Sequence, residues 1–440
     1  MRLSLSLAFT FSCCLMSGVA NANELLRIYD LALQNDTALQ AAGYARDAAL
    51  ESKPQALAAL LPQIAGGYSK GRVEDDSTYQ NPLLGGGSSS YNTTNLSVSL
   101  NQTVFDLSAF QTLSRSNDQA ALAVAGYRGS EQGLILRTAQ AYFNVLAASD
   151  NLRSSQAEKQ AVEHQLEQSQ KRFEVGLSAI TDVQEAQARF DLTTAQVIAG
   201  QQALDSAKQS LSEITGVPVT SISSMQEDFP LPSPDPLNIE SWAASAQQRN
   251  YDILVSNLTA EIAKKTVNIA LSKHLPTLGV QGQYSDGERG GATGVQQTQT
   301  SVTAQISLPI FSGGATQSTV RQADYTYQQR LAELEGKKRL IQTQTRNAFT
   351  GVLSGASQVK ALKQAVLSST TALEASEMGL QVGTRTSVDV LNAQQQLYSA
   401  QRDYSKSRYD YLLNVLNLKA AAGKLTVNDL AEIDRLLLSL

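Results

Sequence analysis

Val382-Gly383-Thr384-Arg385-Thr386-Ser387-Val388-Asp389-Val390 decides how this chain is read, because the chain already holds Val175-Gly176-Leu177-Ser178-Ala179-Ile180-Thr181-Asp182-Val183. The two stretches lie 207 positions apart. The same shift carries Ala186 to Ala393 and Gly216 to Gly423. Upstream the shift is 206, pairing Phe105 with Phe311, Arg115 with Arg321 and Phe143 with Phe349. Further upstream Leu61-Pro62 matches Leu275-Pro276, and Asn35 matches Asn250. A near-constant shift over most of the chain implies two copies of one structural unit.

Between the copies lies Phe229-Pro230-Leu231-Pro232-Ser233-Pro234-Asp235-Pro236. Proline cannot continue a helix and restricts the residue before it, so this is the clearest boundary. The predicted division is a leader at 1–22, a first repeat at 23–228, a link at 229–236, a second repeat at 237–423 and a closing segment at 424–440. The leader begins with Arg2, runs apolar from Leu3 to Val19 and ends in the small-x-small Ala20-Asn21-Ala22, as a cleavable signal peptide does. Cys13 and Cys14 are the only cysteines and lie within it. The mature chain is therefore expected to carry no disulfide, thiolate metal site or cysteine nucleophile. Net charge is −5, or −6 once Arg2 is removed, which argues against a nucleic-acid partner. No later apolar run reaches about 18 residues, so no spanning helix is expected. A β-barrel remains open, because closed barrels satisfy strand backbones within lipid.

Helix dominates each copy. No proline interrupts Leu107 to Phe173, about 100 Å of helix at 1.5 Å per residue. Ala120, Val124, Tyr127, Glu131, Leu134, Thr138, Ala141, Val145, Ala148 and Leu152 recur in steps of four and three. Ile135, Ala139, Tyr142 and Leu146 form a second row beside them, so neighbours are expected on two sides. The later helix of each copy repeats the 3-4 step, from Val183 to Ile214 and from Val390 to Ala421. Strands are fewer. Leu96, Val98 and Leu100 alternate with polar residues, as do Val302, Ala304, Ile306 and Leu308. This period of two marks a barrel strand, with weaker candidates at 64–72 and 277–284. Polar, glycine-rich stretches at 74–91 and 285–300 read as exposed loops, with Asp75-Asp76 solvated there. Membrane barrels begin at about eight strands, so about four per chain require an oligomer, without fixing its number.

Together these pieces resemble the TolC-like family of trimeric outer-membrane efflux proteins over nearly all of the mature chain. The carrying motifs are Leu60-Leu61-Pro62-Gln63, Ala141-Tyr142-Phe143-Asn144-Val145-Leu146 and Arg172-Phe173-Glu174-Val175-Gly176-Leu177. Ala179-Ile180-Thr181-Asp182-Val183-Gln184, His274-Leu275-Pro276-Thr277-Leu278, Leu308-Pro309-Ile310-Phe311 and Val382 to Leu391 complete the set. The resemblance implies a mainly α chain with a β-barrel part: a homotrimer whose twelve-stranded outer-membrane barrel continues into a long α-helical periplasmic tunnel. It implies a belt around the tunnel, to which the link and the segment after Gly423 are assigned. It further implies a periplasmic adaptor, an inner-membrane efflux pump or ABC exporter that supplies the energy, cargo of drugs or proteins, and no cofactor.

By resemblance, the tips Val175, Gly176, Leu177, Val382, Gly383 and Thr384 dock the adaptor. Glycine there also simply suits a tight turn. One Asp389 per chain at a threefold constriction would form a carboxylate ring that selects or binds cations, and bound cations could block the pore there. Asp389 also sits where an acidic residue favours a helix start. Arg385 is implied in the closing contacts, with the position matching Asp182 among its partners. The family pattern carries tyrosine where this chain has Leu380 and a second aspartate where it has Asn392. Three entrance carboxylates rather than six, and one hydroxyl fewer, predict a less firmly locked, less cation-avid entrance.

Enzyme chemistry finds no foothold. The mature chain has only His164 and His274, without metal-ligand spacing, and holds no nucleophile elbow, phosphate loop or dinucleotide fingerprint. A secreted coiled coil would not need strand pairs at matched positions in both copies.

Overall fold

The computed structural model describes residues 24–77, 86–219, 222, 225, 230–290 and 294–437. The leader with its cysteines, Phe229 of the link and residues 78–85 and 291–293 of the expected loops lie outside the described residues. Three helices open the chain, α1 (Glu24–Asn35), α2 (Thr37–Leu50) and α3 (Ser52–Ala58). Strands β1 (Gln63–Ser77) and β2 (Gly87–Phe105) lead to the helical hairpin α4 (Leu107–Glu174) and α5 (Ile180–Thr215). The order then recurs: α6 (Ile239–Arg249), α7 (Tyr251–Ser272), β3 (Thr277–Arg289), β4 (Val295–Ser307), α8 (Ala315–Gln381) and α9 (Ser387–Ala421), closed by α10 (Val427–Leu437). Among the described residues no helix is both long and apolar enough to cross a membrane.

Two compact units cut across the repeats, each drawing on both. One contains residues 41–129 and 251–340 and holds the sheet. Its strands form an antiparallel sheet in the order β1-β2-β3-β4, two hairpins whose adjacent strands β2 and β3 are joined through α4 to α7. Opposed residues share a face, so register shows how the alternation adds up. Ile64 faces Leu100, Tyr68 faces Leu96, Val98 faces Tyr284, Gly282 faces Val302 and Leu278 faces Ile306. The other face carries Ser97, Ser99, Asn101, Gln281 and Gln283 with their polar partners Thr303 and Ser301. Val302 and Ile306 are 77% and 73% exposed, so the apolar face is bare. A one-sided apolar band across four strands is the surface a barrel turns to lipid.

The strands are longer than alternation suggests. The 74–91 and 285–300 stretches are not wholly loops: β1 runs to Ser77, β2 starts at Gly87, β3 ends at Arg289 and β4 starts at Val295. Asp75 and Asp76 lie on β1 opposite Ser89 and Ser88. Backbone pairing continues through polar residues because the ladder uses main-chain groups, not side chains. Leu308 falls outside β4, since Pro309 has no N–H and restricts its predecessor.

The other unit contains the described parts of 1–40, 130–250 and 341–440. The predicted α4 rows are buried there from Leu134 to Leu146, with Leu134, Thr138, Ala141 and Val145 in one and Ile135, Ala139, Tyr142 and Leu146 in the other. Ala120, Val124 and Tyr127 of the first row lie instead in the unit that holds the sheet and are not buried, Val124 being 41% exposed. Phe143 stacks on Tyr409 of α9 at 5.9 Å between ring centroids. Asp434 of α10 is fully buried and accepts the Leu25 N–H of α1 at 3.1 Å, tying α10 to α1. Asp36 accepts a two-pronged bond from Arg137 at 3.0 Å and the Leu39 N–H at 2.6 Å, opening α2. The link packs back on the helices: Trp242 donates to the Pro236 carbonyl at 2.8 Å, and the Tyr411 hydroxyl donates to the Pro232 carbonyl.

Candidate functional site: the hairpin tips

Each hairpin turns on a glycine in the left-handed region, φ 76° at Gly176 and 79° at Gly383. The two turns close alike. Leu177 N–H donates to the Arg172 carbonyl at 2.7 Å, and Thr384 N–H donates to the Gly379 carbonyl at 2.8 Å. This caps carbonyls that would otherwise lack partners at the helix end. The half-buried Leu380 contributes its carbonyl to the Gly383 N–H at 3.3 Å. Beyond the turns, Val175, Leu177 and Val382 are each about 70% exposed or more. Among the described residues nothing covers these apolar side chains at the tips.

Asp182 lies in the first turn of α5, where its carboxylate accepts the Ser178 hydroxyl at 2.5 Å. Asp389 lies in the first turn of α9 in a reciprocal cap with Thr386. Its carboxylate accepts the Thr386 N–H and hydroxyl, both at 2.8 Å, and its own N–H donates to the Thr386 hydroxyl oxygen at 3.2 Å. The Thr386 N–H and hydroxyl, aided by the Arg385 charge, hold its carboxyl below the ordinary range. It is therefore ionised at neutral pH while serving as a cap. Arg385 lies over the last turn of α8, with its Cγ 2.6 Å from where a Cβ on Gly379 would stand. Within one chain, Asp182 is thus engaged by Ser178, and Arg385 lies beside Gly379 and Asp389.

Three features here escaped sequence reasoning. Ser387, the first residue of α9, is buried and accepts the Gln165 amide at 2.9 Å, with the Ser169 hydroxyl at 3.3 Å. These side chains clasp the second hairpin to α4 of the first. Below the clasp, Val162, Leu166, Ala186 and Leu391 form a buried cluster joined by Val183 and Phe190. Arg402 continues the α9–α4 seam, donating at 2.7 Å to Glu158, itself 1% exposed. The second feature is Arg189 of α5, which donates to Gln395 at 2.7 Å and Asn392 at 3.3 Å. The third is Gly379, whose missing side chain leaves room for Arg385. The repeat contained a signal for two of them. Ser387 stands where the first copy has Ile180, and Gly379 where it has Arg172.

A sheet with a lipid-type face and long helical hairpins in one chain mark the class of outer-membrane channels. The outer membrane efflux protein family matches residues 28–217 and 242–424, and the chain belongs to it. Outer membrane protein TolC of Vibrio cholerae is 35% identical, covering 95% of each chain. Alkaline protease secretion protein AprF of Pseudomonas aeruginosa is 32% identical, covering 93% of this chain and 86% of its own. The crystal structure of the Campylobacter jejuni CmeC outer membrane channel superposes with a TM-score of 0.80 at 17% identity, covering 94% and 89%, and supports the fold alone.

Proposed function

We propose that three copies of this chain close one twelve-stranded barrel in the outer membrane, and that their six hairpins form a periplasmic tunnel through which drugs or proteins leave the cell. The observation that carries the reading is the one-sided sheet. Its outer strands, β1 and β4, each keep one edge without a strand partner among the described residues. Four strands are too few to close a barrel alone, while three chains supply twelve. Exposed apolar residues on the long helices, among them Ile198, Leu367 and Met378, support further helical neighbours. The link and the segment after Gly423 would form the belt, in keeping with the contacts of Trp242, Tyr411 and Asp434.

A periplasmic adaptor docks on the bare tips Val175-Gly176-Leu177 and Val382-Gly383-Thr384. An inner-membrane efflux pump or ABC exporter supplies energy, and the duct itself catalyses nothing. Asp389 and Asn392 line the entrance. Arg385, Asp182 and Leu380 take part in closing it, with the clasp at Ser387 added by its geometry. Two measurements test this. Native mass spectrometry of the detergent-extracted protein should give a trimer, and a monomer released without detergent would refute the barrel. Deleting the gene should raise drug susceptibility, empty the medium of an exported protein, or both; no change in either would refute the duct.

A further inference from the structure

Arg189 is a cation seated on neutral groups. Its Nη1 donates to Gln395 Oε1 at 2.7 Å and its Nη2 to Asn392 Oδ1 at 3.3 Å, both at the exposed rim where α5 meets α9. Arginine donates and cannot accept, so both amides must turn their oxygens toward it. No carboxylate is among its partners in the described residues. The two bonds hold a long side chain that would otherwise sweep through solvent. They hold it beside one face of α9, because Asn392 and Gln395 are three residues apart. Asp389 is three residues before Asn392 and continues that face, about 4.5 Å further along the axis.

We propose that Arg189 sets the ion preference of the entrance. It brings one fixed positive charge per chain to the face on which Asp389 brings one fixed negative charge. The ring at that level is then balanced in charge rather than anionic, and anionic or zwitterionic solutes meet no barrier there. Asn392 completes the device. An aspartate there would pair with Arg189 and cancel it, whereas the neutral amide orients the guanidinium and leaves its charge in force. The inference rests on the reading that the Asp389 face lines the entrance. A merely structural Arg189 would act as a cross-helix staple, and its charge would not reach the permeating ions.

Single-channel recording of the full-length protein in planar bilayers separates these roles. Reversal potentials are read in a potassium chloride gradient near 0.1 M, where the screening length is about 10 Å. Arg189→Gln should raise the potassium-to-chloride permeability ratio about threefold or more, and should strengthen block by cobalt hexammine about tenfold, as expected when a carboxylate ring loses its counter-charges. Arg189→Lys keeps the charge without the planar fork and should stay near the native values. Asp389→Asn should move the reversal potential in the opposite sense. If Asp389→Asn moves it and Arg189→Gln does not, the Arg189 proposal fails and the entrance reading stands. Failure of the Gln and Lys variants to differ also overturns the proposal. If neither Asp389→Asn nor Arg189→Gln has any effect, the entrance reading fails and the proposal with it.

Discussion

Removing the Ser387 hydroxyl should loosen the entrance. Ser387, Gln165 and Ser169 are 7%, 7% and 2% exposed, so the clasp is shielded from water. In Ser387→Ala the Gln165 amide loses its 2.9 Å acceptor in a site that admits little solvent. A buried donor left without a partner costs about 1–3 kcal/mol. On the proposed gating, opening parts the first turn of α9 from α4 and returns these groups to water, so that cost bears on the closed state alone. The opening equilibrium should therefore shift about 5- to 150-fold per chain. The assay is open-state occupancy in single-channel recordings, alongside the thermal midpoint of the detergent-solubilised protein. The variant should show more open time and a lower midpoint. Gln165→Leu combined with Ser387→Val removes both ends of the bond at roughly matched shape and should recover much of the closure. A variant with a lowered midpoint and unchanged open time would refute the reasoning, because the clasp would then survive opening.

Other expectations separate equivalent positions. Gly423→Ala should cost about 2–5 kcal/mol, because φ is 66° and the new Cβ would stand 2.4 Å from the Arg249 carbonyl oxygen, whereas Gly176→Ala meets open space and should cost about 1 kcal/mol; thermal melting compares them. Burial pushes the Asp36 carboxyl up, but the Arg137 guanidinium and the Leu39 N–H outweigh it and hold the carboxyl below its usual value. Its contribution should be complete above the unfolded value of about 3.9 and lost as pH falls through the lower folded value, so Asp36→Asn should flatten that part of the acid melting curve. Asp434 has the opposite sign: burial raises it above the usual value despite the Leu25 and Leu26 N–H groups, so its stabilising effect grows as pH falls through the raised value, and Asp434→Asn should remove that rise. Gly379→Ala should displace Arg385, whose Cγ occupies the space, and Gly379→Ala and Arg385→Ala should both raise open time; unchanged gating would place Arg385 outside the closing contacts.

Much of the architecture could be read from periodicity. The long helix expected from Leu107 to Phe173 ends one residue later, at Glu174, because helix length follows from the absence of breakers and a sustained apolar seam. The strand cores followed from alternation, but their polar ends did not, since Asp75 pairs with Ser89 through backbone groups that every residue carries. At the tips, Gly176 and Gly383 were legible because few residues other than glycine adopt a positive φ there. Arg189 was not, because a lone arginine on a helix reads as solvated until its partners are known.

By itself, then, the sequence determined the duplication, the hairpins, the two-faced strands and the glycine turns, all of which depend on neighbours within a few residues or on a constant shift. Only the tertiary structure decided which surfaces those elements share. It placed Gly216 against Asn35 and Gly423 against Arg249, so a matched glycine in each repeat meets the end of that repeat's opening helix. It set Ser387 against Gln165, 222 positions away, and Arg189 against Asn392, 203 away. Such pairs leave no periodic trace in a single chain. They arise from the register in which the second hairpin packs on the first, and that register is a property of the whole packed seam rather than of any one stretch.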